Sequence, residues 1–185
     1  MSIPEMHRKE ARRKHFKCAV LTISTSKAKK AEEMRMSGHS ELNPAEIGDV
    51  SGEIAVKLLS ESGHEVVLYD VLPDERERIR EAVERALSSD AEVIVTTGGT
   101  GLARSDVTIE VVAEMLEKHI PGFGEIFRLK SYEKVGTAAM LSRAIAGVVA
   151  SKVIFCLPGS PSAVELALKE IILKELPHIM KHVRE

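Results

Sequence analysis

Glu92-Val93-Ile94-Val95-Thr96-Thr97-Gly98-Gly99-Thr100-Gly101 is a run of β-branched residues that ends abruptly in glycine. Glu92 to Thr97 suit a third strand, because stiff branched side chains pack well on a sheet. Glycine at 98, 99 and 101 lets the backbone turn sharply, and Ile109, Val112, Ala113 and Leu116 recur at helical spacing beyond it. Strand, glycine turn and helix, in that order, form the repeating unit of a parallel sheet.

The flanking sequence carries the same alternation in both directions. Upstream, Lys17 to Ser24 read as a buried strand. A helix opens at Asp49, buries Val50, Ile54 and Leu58 beside Ala55 and Leu59, and stops at Gly63. His64 to Leu72 form a second strand, and Pro73-Asp74 starts a helix whose buried stripe is Ile79, Val83 and Leu87. Downstream come a helix with Phe123, Ile126, Phe127 and Lys130, two short β-like runs at 145–150 and 152–157, and a last helix lined by Val164, Ala167, Leu168, Ile171 and Ile172. The expected fold class is α/β: three layers, doubly wound, with a mostly parallel sheet and helices on both faces. Residues 25–48 show no clear period and are expected to be a long functional loop. Residues 1–16 read as a basic arm, and 17–185 as one domain without internal repeats.

Composition narrows the class further. At 185 residues the chain can bury roughly 70% of its unfolded surface in one core. A net charge of -2 lacks the cationic excess of a protein that tracks nucleic-acid backbone. No apolar run approaches a membrane span and the N-terminus has no secretory pattern, so a cytoplasmic location is expected. Cys18 and Cys156 each lie within an apolar run and read as buried hydrophobes. The sequence has no Gln and one Asn, Asn43, beside abundant Glu, Lys and Arg, the compositional trend of thermophile proteins.

In such sheets, ligands bind beyond the carboxyl ends of the strands. Thr97-Gly98-Gly99-Thr100-Gly101 stands there, and backbone N–H groups stripped of Cβ neighbours can cradle a phosphate. No Gly-Lys-Ser/Thr follows, so charge neutralisation must come from Mg²⁺ or from other basic residues, and the dehydrogenase fingerprint is also missing. Downstream in Arg104-Ser105-Asp106-Val107-Thr108, Asp106 can cap a helix or hold Mg²⁺ against phosphate oxygens. Asp49 is the second carboxylate open to the same two readings, whereas Asp74 reads as a cap of the helix that follows it. Pro158-Gly159-Ser160-Pro161 ends a strand, with Ser160 as N-cap or ligand donor. Ser142 and Arg143 could meet an anion. His178 and His182 read as a solvated helix face. Gly99→Val is expected to abolish ligand binding and leave the fold largely intact.

Taken in order, Val71-Leu72-Pro73-Asp74-Glu75, Thr97 to Gly101, Arg104 to Thr108 and Pro158 to Pro161 resemble the MoaB/MogA molybdopterin-binding family over most of residues 17–175. The resemblance implies a homo-oligomer, trimer or hexamer, that transfers an adenylyl group from ATP, with Mg²⁺, to molybdopterin in molybdenum or tungsten cofactor synthesis. It also implies hand-over to a metal-inserting protein. By position, Asp49 and Asp106 match the family's two functional aspartates, and the glycine turn matches its phosphate loop. Leu102 and Ile109 stand where the MogA-like pattern has proline, a departure similar to the MoaB branch. A non-catalytic molybdopterin carrier of the same family is the alternative.

Overall fold

The computed structural model describes residues 15–39 and 41–185, so the basic arm lies almost wholly outside the described residues. Six strands form one sheet: β1 (Lys17–Ile23), β2 (Glu65–Leu72), β3 (Val93–Thr97), β4 (Lys118–His119), β5 (Ile145–Val149) and β6 (Lys152–Leu157), in the order β2-β1-β3-β6-β5-β4. β2, β1, β3 and β6 are parallel, and β5 runs antiparallel to both β6 and β4. The mixed edge follows from the connection. Only Ala150 and Ser151 separate β5 from β6, both with positive φ, 49° and 58°, and a two-residue turn of that hand joins antiparallel strands only.

Alternation along the central strands splits the core in two. Cys18, Val20, Val93, Val95, Val153, Phe155 and Leu157 face one layer of helices, whereas Ala19, Leu21, Ile23, Ile94, Ile154 and Cys156 face the other. The first layer comprises α3 (Val50–Glu61), α6 (Pro121–Val135), α7 (Pro161–Ala167) and α8 (Leu173–Arg184); the second comprises α4 (Arg76–Ser88) and α5 (Thr108–Met115). The three-layer α/β expectation is met. The final helix differs in detail. A wide π turn over Leu168–Ile172 separates α7 from α8, and Pro177 inside α8 cannot donate the usual bond to the Leu173 carbonyl. Phe16 is fully buried and its carbonyl accepts from the Glu65 amide at 3.0 Å, so the packed region includes the last residue assigned to the arm.

Residues 25–48 are not a structureless loop. They hold α1 (Thr25–Met36) and the short α2 (Pro44–Ile47). α1 escapes a periodicity search because it buries only Ala28 and Ala31, two small side chains that set up no apolar stripe. Its N-terminus is held from a distance. The Asp74 carboxylate accepts from the Thr25 amide at 3.0 Å and from the Thr25 hydroxyl at 2.8 Å. The expected cap role of Asp74 is therefore real but serves α1, while α4 begins at Arg76 behind Glu75, whose side chain makes no cap bond. Among the described residues no helix is long and apolar enough to cross a membrane.

Removal of this cap leaves the first-turn donors of α1 unpaired. Asp74→Ala is expected to lower stability by about 1 kcal/mol, read as a drop in the chemical-denaturation midpoint at unchanged slope; an unchanged midpoint would show that water replaces the carboxylate.

Candidate functional site

The carboxyl ends of β1, β3 and β6 converge on the glycine turn. At Gly98, φ is +98° and an added Cβ would lie 2.2 Å from the Ile23 carbonyl oxygen; at Gly99, φ is +61° and a Cβ would meet the Thr108 hydroxyl at 2.2 Å. Neither position tolerates a side chain, on grounds of both space and backbone hand. The turn is closed by the Gly98 amide donating to the Leu157 carbonyl and the Thr108 amide donating to the Gly99 carbonyl, both at 3.0 Å. The Thr97 hydroxyl donates to Pro158, and a Cβ on Gly159 would approach Gly98 Cα to 3.2 Å. The structure thus brings Thr97 to Gly101 and Pro158 to Ser160 together. Ser160 also caps α7, accepting from the Ala163 amide at 3.3 Å.

Asp106 does not cap α5, whose N-cap is Val107. Its Oδ2 instead accepts from the Ala103 amide at 2.9 Å, folding the loop back so that the same oxygen lies 2.6 Å from where a Cβ on Gly101 would stand. The carboxylate is half-buried and lies against the backbone of the turn. Arg143 is placed differently from its expected role as an anion contact. Its Nε donates to the Thr100 carbonyl at 2.9 Å, Nη2 reaches the Asp106 carbonyl at 3.4 Å, and the remaining face is paired with Glu110. Pairing with Arg143 lowers the Glu110 pKa despite a small opposing effect of burial. Arg143 is a clamp on the loop, while Ser142, half-buried, ends the 3₁₀ turn over Gly136–Leu141 that leads into it.

Asp49 is the largest departure from expectation. Its side chain makes no aligned cap bond to α3 and is fully buried. The Tyr69 hydroxyl donates to Oδ2 at 2.8 Å, and the Lys27 ammonium stands 3.1 Å from Oδ1. Gly52 leaves room for this, since a Cβ there would lie 2.1 Å from Oδ2. Burial opposes the charge, but the Thr22 and Tyr69 hydroxyls, the Gly52 amide and Lys27 outweigh it and hold the pKa below the ordinary 3.8; Thr22 and Gly52 act from nearby without aligned bonds. The Lys27 ammonium stands beside the Asp49 carboxylate as its counter-charge. The link to the glycine turn is indirect: Ser51, two residues on, donates to the Gly159 carbonyl at 2.8 Å.

Sequence reasoning missed Lys27, Ser51, Tyr69 and the reach of Asp74, whose Oδ1 lies 3.1 Å from the Cβ position of Gly99. Tyr69 gave a faint signal as the one aromatic residue in an otherwise aliphatic and acidic strand. Lys27 gave none, being one of several lysines in α1.

Two variants test this geometry. Gly99→Val, expected from sequence to spare the fold, should itself destabilise by more than about 1 kcal/mol because it forces a branched residue into the left-handed region. A wild-type melting profile would contradict the crowding at Thr108. Asp49, with its depressed native pKa, contributes stability above its unfolded pKa and loses it as pH falls through the native one. Unfolding free energy should therefore decline below about pH 4, with a shallower decline in Asp49→Asn.

Comparison with known proteins places this geometry among relatives. A family model described as a probable molybdopterin binding domain matches residues 19–178. The molybdenum cofactor biosynthesis protein B of Bacillus cereus is 42% identical over 181 residues, covering 97% of this chain and 96% of its own. The molybdopterin adenylyltransferase of Pyrococcus furiosus is 43% identical over 185 residues, covering 98% of each. Among solved structures, the tungsten cofactor synthesizing protein MoaB of Pyrococcus furiosus superimposes with a TM-score of 0.78 at 43% identity, over 93% of this chain and 99% of that one. A molybdenum cofactor biosynthesis protein B gives 0.79 at 40% identity, over 92% and 97%.

Proposed function

The chain belongs to the molybdopterin-binding domain family, and on that premise we propose that it adenylylates molybdopterin. An ionised oxygen of the terminal phosphate of molybdopterin attacks the α-phosphorus of ATP, a new P–O–P bond forms, and the bond to the β-phosphate breaks to release pyrophosphate. No general base is needed, because the nucleophile is already an anion; positioning and charge neutralisation carry the rate. The observation that supports this reading best is the Gly98–Gly101 turn, where neither Gly98 nor Gly99 has room for a side chain and Asp106 lies against Gly101. A phosphate beside that carboxylate needs a cation between them, and Mg²⁺ held by Asp106 and phosphate oxygens fits one-carboxylate magnesium chemistry. The metal would neutralise charge on the transferring phosphate. Asp49 acts from beneath the site, through Lys27 and the turn that Ser51 contacts.

A molybdopterin carrier without transferase activity is the second reading, favoured by the full burial of Asp49 against Lys27 and Tyr69. Self-association is assigned to α6 and the turn after it, where Ile126, Leu129, Tyr132, Val135, Met140 and Leu141 are exposed. The adenylylated product requires a later metal-inserting step. Incubation with molybdopterin, ATP and Mg²⁺ is expected to give adenylyl-molybdopterin and pyrophosphate by mass spectrometry, with loss of product in Asp106→Asn. Pterin bound but unmodified by the wild-type protein would replace the transferase by the carrier.

A further inference from the structure

His178 and His182 stand one turn apart on α8. Residues four apart on a helix share a face, and here the rings meet: their centroids are 4.8 Å apart and the two Nε2 atoms face each other at 3.0 Å. The other ring nitrogen of each lies beside a carboxylate. Nδ1 of His182 is 3.2 Å from Glu185 Oε2, and Nδ1 of His178 is 3.6 Å from Glu175 Oε2. A carboxylate beside Nδ1 favours the tautomer that carries its proton there, which leaves a lone pair on Nε2. Serving both carboxylates therefore sets two lone pairs against each other. Letting one Nε2 donate to the other strips the proton from a nitrogen that faces an acid. A positive centre between the rings, a proton or a metal ion, reconciles all four contacts.

We propose that His178 and His182 chelate a divalent transition metal of borderline softness, Zn²⁺, Ni²⁺ or Cu²⁺, with Glu175 and Glu185 as outer carboxylates that orient the rings. Imidazole nitrogen is a ligand that suits these ions. With metal–nitrogen bonds of about 2.0–2.1 Å, two ligands on one ion stand about 2.9 Å apart at a right angle and about 3.3 Å apart at the tetrahedral angle. The observed 3.0 Å lies within that range. A carboxylate on the far nitrogen is the usual device that holds a histidine in its ligating tautomer. Among the described residues no group of three or more His, Cys, Asp or Glu converges, so water completes the coordination. The rings are 31% and 58% exposed, which leaves room for it. The site is remote from the glycine turn. Arg184, in the same helix, pairs with Glu92 and lies over the Phe16 ring; those two residues precede β3 and β1, so this end of α8 sits at the amino ends of the strands. The chelate spans the turn directly after Pro177, where the helix lacks a backbone bond, and a bound ion staples the end of α8.

Calorimetric titration of the full chain with ZnCl₂, and paramagnetic resonance after one equivalent of Cu²⁺, test the assignment. Zn²⁺ is expected to bind one per chain and to raise the melting midpoint, and the Cu²⁺ spectrum to show splitting by two nitrogens. His178→Gln and His182→Gln should each weaken Zn²⁺ by about tenfold or more, no less than loss of an outer partner costs, and abolish the midpoint shift. Both rings are partly exposed, so the metal-free midpoint should stay at its wild-type value. Glu175→Gln/Glu185→Gln keeps both ligands and should weaken Zn²⁺ by about tenfold; unchanged affinity there would overturn the orienting role. Wild-type affinity in either histidine variant, a Cu²⁺ spectrum with one nitrogen or none, or no Zn²⁺ binding by the wild-type chain would overturn the site itself. The adenylyl-transfer reading stands or falls independently, since none of these four residues touches the glycine turn.

Discussion

Everything near the candidate site depends on how closely three strand ends approach one another. The Ile23 carbonyl occupies the space where a side chain on Gly98 would begin, and Gly159 packs on Gly98 from the other side. Parallel strands of a twisted sheet ordinarily diverge into separate loops, each shielded by its own side chains. Here the absence of Cβ atoms lets β1, β3 and β6 finish on a shared patch of backbone, tied together by the Gly98 amide donating to the Leu157 carbonyl. A turn of this sort costs conformational entropy on folding, because glycine has the most freedom to lose. The gain is a turn built into the sheet itself and closed by backbone hydrogen bonds.

Around this patch the polar groups fall into two sets with different duties. Arg143, Glu110 and Asp106 fix the loop from Thr100 to Asp106, with a guanidinium spanning two carbonyls that would otherwise be left to water. Asp49, Tyr69 and Lys27 form a deeper set beneath the first helix of the crossover. The loop set fixes the backbone after the turn, and the deeper set holds a buried carboxylate in its charged form. Among the described residues no hydrogen bond or ion pair joins the two sets.

The fold was legible because its central strands are unambiguous. Val93–Thr97 and Lys152–Leu157 are short β-branched or aliphatic runs bounded by turns, and their alternation divided the core between two helical layers as the pattern demands. The glycine turn was legible for the same local reason. What escaped was whatever depends on partners far apart in sequence. α1 was taken for loop because its buried face is made of alanine. Asp74 was assigned to the nearer helix, since a sequence reads a cap by proximity, while the carboxylate serves one 49 residues upstream. Asp49 looked like a metal ligand because carboxylates beside phosphate loops so often are, and burial beneath a lysine leaves no trace in spacing.

Asp74 also couples parts of the molecule that a reader of the chain would treat as independent. One oxygen holds the first turn of α1, and the other lies near the backbone of Gly99. A shift of the glycine turn and fraying of α1 would both be felt by one carboxylate. An amide in the first turn of that helix becomes a natural spectroscopic reporter for a turn it never touches.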